Sequence, residues 1–341
     1  MKDERLWLKP LGLIYGGAMA WRNQLYDQGV WRAETVNCPV ISVGNLTVGG
    51  AGKTPVTMAV LEKLLSQNLK PAVVSRGYGR ATSGVWQVDL VAPQAAAQFG
   101  DEPVLIKSRF HGVPVYVGEK KVKAARLAIA ENQLDVILAD DAFQHRALAR
   151  QLDVVVIDST QGLGSLYPVP WGMAREKSCG LKRAGIVVLN KVNLSSPELL
   201  AKWRTWLSQN LRSTQKVVEA AYQTLPLQGL TGPQALEAKE WLACAGVARP
   251  SSFLHLLRKE LKLNITNEIW FRDHHLFTVK DLQKIETKLY SGQGIVITEK
   301  EAVKWRSLPS PLLERVAVVS LDLKWTSGEE ELDRALTAVI R

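Results

Sequence analysis

Residues 40–55, VISVGNLTVGGAGKTP, constrain the fold more than any other stretch of the chain. A β-branched apolar run stops at Gly44, a loop with Gly49, Gly50 and Gly52 follows, and Lys53-Thr54-Pro55 opens an apolar segment of helical period through Leu65. The pattern predicts a strand, a phosphate-cradling loop and a helix. Glycines let backbone N–H groups approach anionic oxygens, and the helix N-terminus adds partial positive charge. The cradle comprises Thr47, Gly49, Gly50, Ala51 and Gly52; Lys53 is placed to reach the β/γ-phosphates and the Thr54 hydroxyl to hold Mg²⁺. Thr47 occupies the first glycine position of the usual GxxxxGK[ST] pattern. The competing reading is an ordinary tight strand-to-helix turn.

With 341 residues, the chain is long for one core and comfortable for two domains. A formal net charge of +10 favours anionic partners. No block of five basic residues and no nucleic-acid-binding signature is present, so nucleic acid is not expected among them. Cys38, Cys179 and Cys244 are far apart and lack CxxC spacing, which argues against a zinc site or a disulfide framework and fits a reducing compartment.

Within residues 1–35, Leu11, Ile14, Tyr15, Ala18, Trp21 and Leu25 fall at helical spacing on one face, flanked by Trp7, Tyr26 and Trp31. The apolar run is too short to span a bilayer, which takes about 20 residues. Lys2, Arg5 and Ala18-Met19-Ala20 have the look of a signal peptide, but Asp3, Glu4 and Pro10 fit one poorly. Two readings stand: a helix that merely packs on the domain, and an interfacial helix with aromatics at headgroup depth, which is preferred.

A short strand then runs into SRGYGR, which sets Arg76, Tyr78 and Arg80 on a turn at the sheet edge where ligands of α/β proteins sit. Residues 85–90 alternate like an edge strand. In FGDEPVL, Asp101 and Glu102 open a helix; they read either as first-turn acids or, beside Mg-nucleotide, as metal ligand and base. After a strand at 113–117, Lys120, Lys121, Lys123 and Arg126 read as a solvated helix face, with contact to phosphate or headgroup as the second reading. Residues 135–141, DVILADD, form an apolar strand ending in Asp140 and Asp141, the form of a carboxylate pair that reaches Mg²⁺. His145 reads equally as a structural histidine or as one that orients an aspartate.

Strands at 153–159 and 185–191 follow, separated by a Gly- and Pro-rich loop at 162–176 whose charged tip is Arg175-Glu176. NKVN at 190–193 is similar to a guanine-reading NKxD element, with Asn193 in place of the carboxylate. Pro226, Gly229, Gly232 and Pro233 punctuate the chain beyond a strand starting at Lys216. A second α/β unit carries AGVARP, Asp273-His274-His275 and TEKEAVK; the Asp-His-His run lacks a third ligand for zinc.

The alternation of strands and helices predicts an α/β, P-loop NTPase-like, doubly wound and mostly parallel sheet, with a second, smaller α/β domain. The expected division is 1–35 for the N-terminal interfacial helix region, 36–215 for the P-loop domain and 216–341 for the C-terminal α/β domain, the last helix packing back on the first domain.

GNLTVGGAGKTP, SRGYGR, GDEP, DDAFQH, Arg175-Glu176, AGVARP, DHH and TEKEAVK, in that order, resemble the tetraacyldisaccharide 4'-kinase family, the inner-membrane lipid A 4'-kinases of Gram-negative bacteria. The resemblance implies an ATP- and Mg²⁺-dependent phosphotransferase. It would phosphorylate the 4'-hydroxyl of a lipid A disaccharide 1-phosphate at the cytoplasmic face of the inner membrane, as a peripheral or monotopic protein without an obligate protein partner. It implies that Asp101 is the catalytic base, that His274 pairs with it, and that Lys53 serves transfer. By the same resemblance Thr54, Asp140, Asp141 and Glu102 organise the metal, while Arg76, Tyr78, Arg175 and Glu176 lie near acceptor or phosphates. Ala142, Glu301, Asn193 and the loop at 163–173 depart from the family pattern. The alternatives are a P-loop kinase or ligase for a soluble substrate and a nucleotide-gated membrane regulator.

Overall fold

The computed structural model describes residues 6–247 and 250–340, so Lys2 and Arg5 ahead of the first helix, and Ala248 and Arg249 of AGVARP, lie outside the described residues. The chain forms two compact units interleaved along the sequence. One holds residues up to 76, Val113–Tyr222 and the chain from 323 onward; the other holds Gly77–Gly112 and Gln223–Asp322.

Seven strands of the first unit lie in the order Lys216–Thr224, Ile186–Asn190, Leu152–Asp158, Val40–Asn45, Val136–Asp140, Pro71–Ser75, Val115–Val117, each parallel to its neighbours, and Leu321–Ser327 extends the sheet beside Lys216–Thr224. Parallel strands are covered on both faces, which is why Val40–Asn45, Val136–Asp140 and Ile186–Asn190 are buried at every residue and read as apolar runs. From Val40–Asn45 the chain first builds outward on one side, to Pro71–Ser75, and later on the other, through Leu152–Asp158 and Ile186–Asn190. That reversal makes the carboxyl edge beside Val40–Asn45 a topological switch point, where ligands of such sheets sit. Pairing of Val43 with Asp140 and of Asp158 with Asn190 brings these strand ends to the same edge.

The helix Lys53–Ser66 follows the loop directly. Val56, Val60, Leu61 and Leu64 are fully buried on the sheet, and burial of each such side chain is worth about 1.5–3 kcal/mol. This packing holds the helix although its N-cap, Gly52, has no side chain to offer. The first-turn N–H groups therefore remain oriented toward the loop, as an anion site requires.

In the second unit, Ile265–Trp270, Trp241–Ala245, Gly294–Thr298 and Val316–Val319 form a parallel sheet closed by the antiparallel Gln228–Gly229. Phe277, Leu282, Ile295, Ile297 and Trp305 fill the core on one side of it. Of the edge strand expected at 85–90 only Trp86–Gln87 is formed; Gly84 takes a left-handed turn before it, and the Asp89 carboxylate accepts from the Val91 N–H after it. Sequence order separates Asp101 from His274 by the expected boundary and so predicts a pair assembled from two domains. Both residues instead lie in the second unit, because the helix Asp101–Arg109 packs on the helix Glu299–Trp305.

Candidate active site

In the first unit the phosphate loop is exposed from Val48 to Gly50. It is held from one side by the Val48 N–H, which donates to the Met173 carbonyl. Gly52 sits at φ +84°, and a Cβ there would fall 2.1 Å from Tyr222 Oη and 2.4 Å from Asn190 Nδ2. Only glycine satisfies both the backbone and the space. The NKVN element does not face a base. Asn190 Nδ2 donates to the Ala51 carbonyl at 3.1 Å, and Lys191 Nζ bridges the Gly50 carbonyl and Asp158 Oδ2 at 2.8 Å each. Asn193 is committed to the backbone of Tyr222, donating to its carbonyl and accepting its N–H. The element braces the loop from behind.

Lys53 Nζ stands 3.7 Å from Asp141 Oδ1. Thr54 is buried at the helix start. Asp140 is fully buried, and its two oxygens accept from Thr57 Oγ1 at 2.9 Å and Ser75 Oγ at 3.2 Å. Asp141 takes a left-handed turn at φ 42° and accepts from Arg175 Nη1 at 3.0 and 3.2 Å. Burial pushes the Asp141 carboxyl up, but Lys53, Arg175 and Lys121 together outweigh it and hold the group below its ordinary value. Thr54, Asp140 and Asp141 carry hard oxygen donors, the donor chemistry that suits Mg²⁺.

Lys121 corrects the solvated-face reading. Lys120, Lys123 and Arg126 are exposed, whereas Lys121 is 2% exposed and donates to the Asp141 carbonyl at 3.2 Å. Burial lowers its pKa, against the pull of Asp141 and Asp140. Glu176 departs equally from the expected charged tip: it is 1% exposed and accepts from Asn23, Gln144 and Arg183. Its carboxylate is a structural hub, while Arg175 beside it reaches the site. Arg76 is exposed at the end of Pro71–Ser75. His145 is half-buried, and burial first, then Lys121 and Arg150, push its pKa down to about 4. Arg150 gathers the carbonyls of Ala142, Phe143 and His145 and pairs with Asp153, which fixes the turn after Asp141.

In the second unit, Asp101 is 6% exposed and His274 Nδ1 donates to its oxygens at 3.0 and 2.9 Å. Lys304 Nζ lies 3.5 Å from the same carboxylate. Burial pushes Asp101 up, but His274, Lys300 and Lys304 override it and hold the carboxyl well below the usual range. The hydrogen bond to Asp101 raises His274, whose ring meets Tyr78 edge-on at 5.1 Å between centroids. Glu102 also belongs to this unit, and its Oε1 accepts from Lys300 at 2.8 Å. The Lys300 ammonium is thus a partner of Glu102 within this unit. Glu301 is fully buried and accepts from the Gly246 N–H and from Thr298 Oγ1. His275 stacks on Phe271 and contacts Asp281, and no group of three or more His, Cys, Asp or Glu among the described residues could hold a metal ion.

Residues 4–341 match the family model described as tetraacyldisaccharide-1-P 4'-kinase. The chain is 35% identical over 347 residues to the tetraacyldisaccharide 4'-kinase of Bdellovibrio bacteriovorus, covering 99% of this chain and 100% of that protein. It is 36% identical over 361 residues to that of Anaeromyxobacter sp. strain K, covering 99% and 95%. The backbone is similar to a crystal structure of LpxK from Aquifex aeolicus in complex with ATP, with a TM-score of 0.79 and 24% identity over 99% of this chain and 100% of that one, a likeness that speaks for the fold. Whole-length coverage at these identities leaves one conclusion about descent: the chain belongs to the tetraacyldisaccharide-1-P 4'-kinase family.

Proposed function

We propose that this protein transfers the γ-phosphoryl group of ATP to the 4'-hydroxyl of a tetraacyldisaccharide 1-phosphate, a step of lipid A biosynthesis. The observation that carries the reading is the uncapped helix N-terminus behind the glycine loop, with Lys53 set against Asp141. Backbone N–H groups of the loop and Lys53 hold the triphosphate and stabilise charge on the transferring group. Mg²⁺, held by Thr54 with Asp140 and Asp141, would neutralise charge on the phosphate oxygens. Lys121 and Arg175 keep Asp141 ionised for that role.

Asp101 is the base of this reaction. The transition state of phosphoryl transfer is loose, so a strongly basic group is not needed; the carboxylate orients the hydroxyl and takes its proton as the P–O bond forms. His274 holds that carboxylate ionised and in one orientation.

The helix Lys9–Asp27 supports a location on the cytoplasmic face of the inner membrane. No helix among the described residues is long and apolar enough to cross a membrane. Yet Trp7, Ile14 and Trp21 are 73%, 70% and 65% exposed, with Leu11 beside them, a stripe suited to lying in a headgroup layer.

The test is transfer of labelled phosphate from ATP to tetraacyldisaccharide 1-phosphate. Label in a 4'-phosphorylated lipid is expected; ATP hydrolysis without labelled lipid would instead indicate a regulator. In the same preparation, Ile14→Glu combined with Trp21→Glu should weaken binding to anionic vesicles about tenfold or more. Unchanged sedimentation with vesicles would remove the interfacial reading.

A further inference from the structure

The helix Lys9–Asp27 has a second face, and that face is built into the nucleotide-binding unit. Gly12 and Gly16 let it close on the loop at 162–176: a Cβ on Gly12 would stand 2.8 Å from Trp171 Cβ, and one on Gly16 2.8 Å from Pro168 Cγ. The other contacts of this face are polar and specific. Tyr15 Oη donates to the Arg175 carbonyl at 3.0 Å, and the buried Asn23 Nδ2 donates to Glu176 Oε2 at 2.6 Å. Arg22 Nη2 donates to the Gln144 carbonyl at 3.1 Å, and Arg146 Nη1 donates to the Asn23 carbonyl at 2.8 Å.

These partners lead to the site. Arg175 carries the guanidinium on Asp141 and donates its N–H to the Leu46 carbonyl at 2.7 Å. Gln144 Nε2 divides itself between Glu176 Oε1 at 3.0 Å and the carbonyl of Asn45 at 2.9 Å, where the phosphate loop begins. Arg183 neutralises Glu176 from the far side at 2.9 Å. A helix that only lay in a lipid surface would need neither a buried asparagine nor a carboxylate waiting for it. A buried polar network of this kind loses its arrangement when one member is removed and its partner is left unpaired.

We propose that Asn23 and Tyr15 are positioning residues of the nucleotide site. The N-terminal helix, through Asn23–Glu176–Gln144 and Tyr15–Arg175, sets the phosphate-loop entry and the Arg175 guanidinium. Grip on MgATP therefore depends on how the helix is seated. The inference rests on the reading that Lys53 and Thr54 hold a nucleotide.

Calorimetric titration of the full chain with MgATP, beside thermal melting, tests it. Wild-type protein that takes up no MgATP would defeat the kinase reading, not this inference. With binding established, Asn23→Ala should raise the MgATP Kd about tenfold by leaving Glu176 short of a donor. Asn23→Asp should raise it further, because two carboxylates then face each other. Combining N23D with E176Q restores a donor and an acceptor in the same space, and should return the Kd to within about threefold of wild type. The double variant also answers the question should Asn23→Ala fail to fold. A melting temperature that falls while MgATP affinity stays within twofold overturns the proposal, as does a double variant that binds no better than N23D.

Discussion

Asp101→Asn is expected to lower kcat about 10²–10⁴-fold, with MgATP affinity unchanged and the lipid KM moved little. The substitution keeps size and shape but removes the charge that His274 and Lys304 surround. Titration with MgATP separates loss of chemistry from loss of the nucleotide. A variant that retains more than a tenth of wild-type turnover would rule out the base role. The same variant should also change stability with pH. The Asp101 pKa is depressed, so its contribution is present above an unfolded value of about 3.9 and lost as pH falls through the folded one. The His274 pKa is raised, so its contribution is complete below about 6.5 and lost as pH rises through the folded value. The stability gap between wild type and Asp101→Asn should therefore be widest between about pH 4 and 6.5, and narrow on the alkaline side. Denaturant midpoints across that range measure it; a gap that grows above pH 8 would contradict the pair.

Lys53→Ala should cost about 10²–10³-fold in kcat/KM, the usual loss when one preorganised charge on a transferring group is removed. Arg175 and Lys121 remain beside Asp141, so the carboxylate stays ionised and the defect should fall on ATP rather than on metal retention. Lys53→Arg should not rescue, because a planar guanidinium replaces a compact ammonium in a space Arg175 already occupies. A loss smaller than about fivefold in steady-state kinetics would show that Lys53 does not touch the transferring group.

Much of the first unit was legible because its signals are local. A buried parallel strand that ends in a carboxylate, as at Asp140, shows itself in a handful of consecutive residues, and so does the loop before Lys53. What escaped depends on partners distant in sequence. Lys121 looked like its exposed neighbours Lys120 and Lys123; only the strand end carrying Asp141, twenty residues later, turns it inward. Glu176 looked like part of a charged tip because Asn23, which claims it, lies 153 residues earlier. Asn190 and Lys191 sat in a motif whose familiar use is base reading, and the cue to their other use, the Gly50 and Ala51 carbonyls, is 141 and 139 residues away. Periodicity likewise could not assign the segment Gly77–Gly112 to its unit, since a short helix carries no mark of the helix that will cover it.

That interleaving has a consequence for biosynthesis. The helix Asp101–Arg109 leaves the ribosome well before Glu299–Trp305, the helix it packs on, has been translated. At about 5–20 residues per second, a gap of roughly 190 residues means some ten to forty seconds in which this helix lacks the one it will pack on. The nucleotide-binding strands can pair during that interval, because Val40–Asn45 through Lys216–Thr224 are complete before residue 225 is added. The nascent chain thus has its phosphate-loop strands first and its Asp101–His274 dyad later, and the first unit closes only when the chain from 323 onward, with the buried Leu332 and Leu336, has been added.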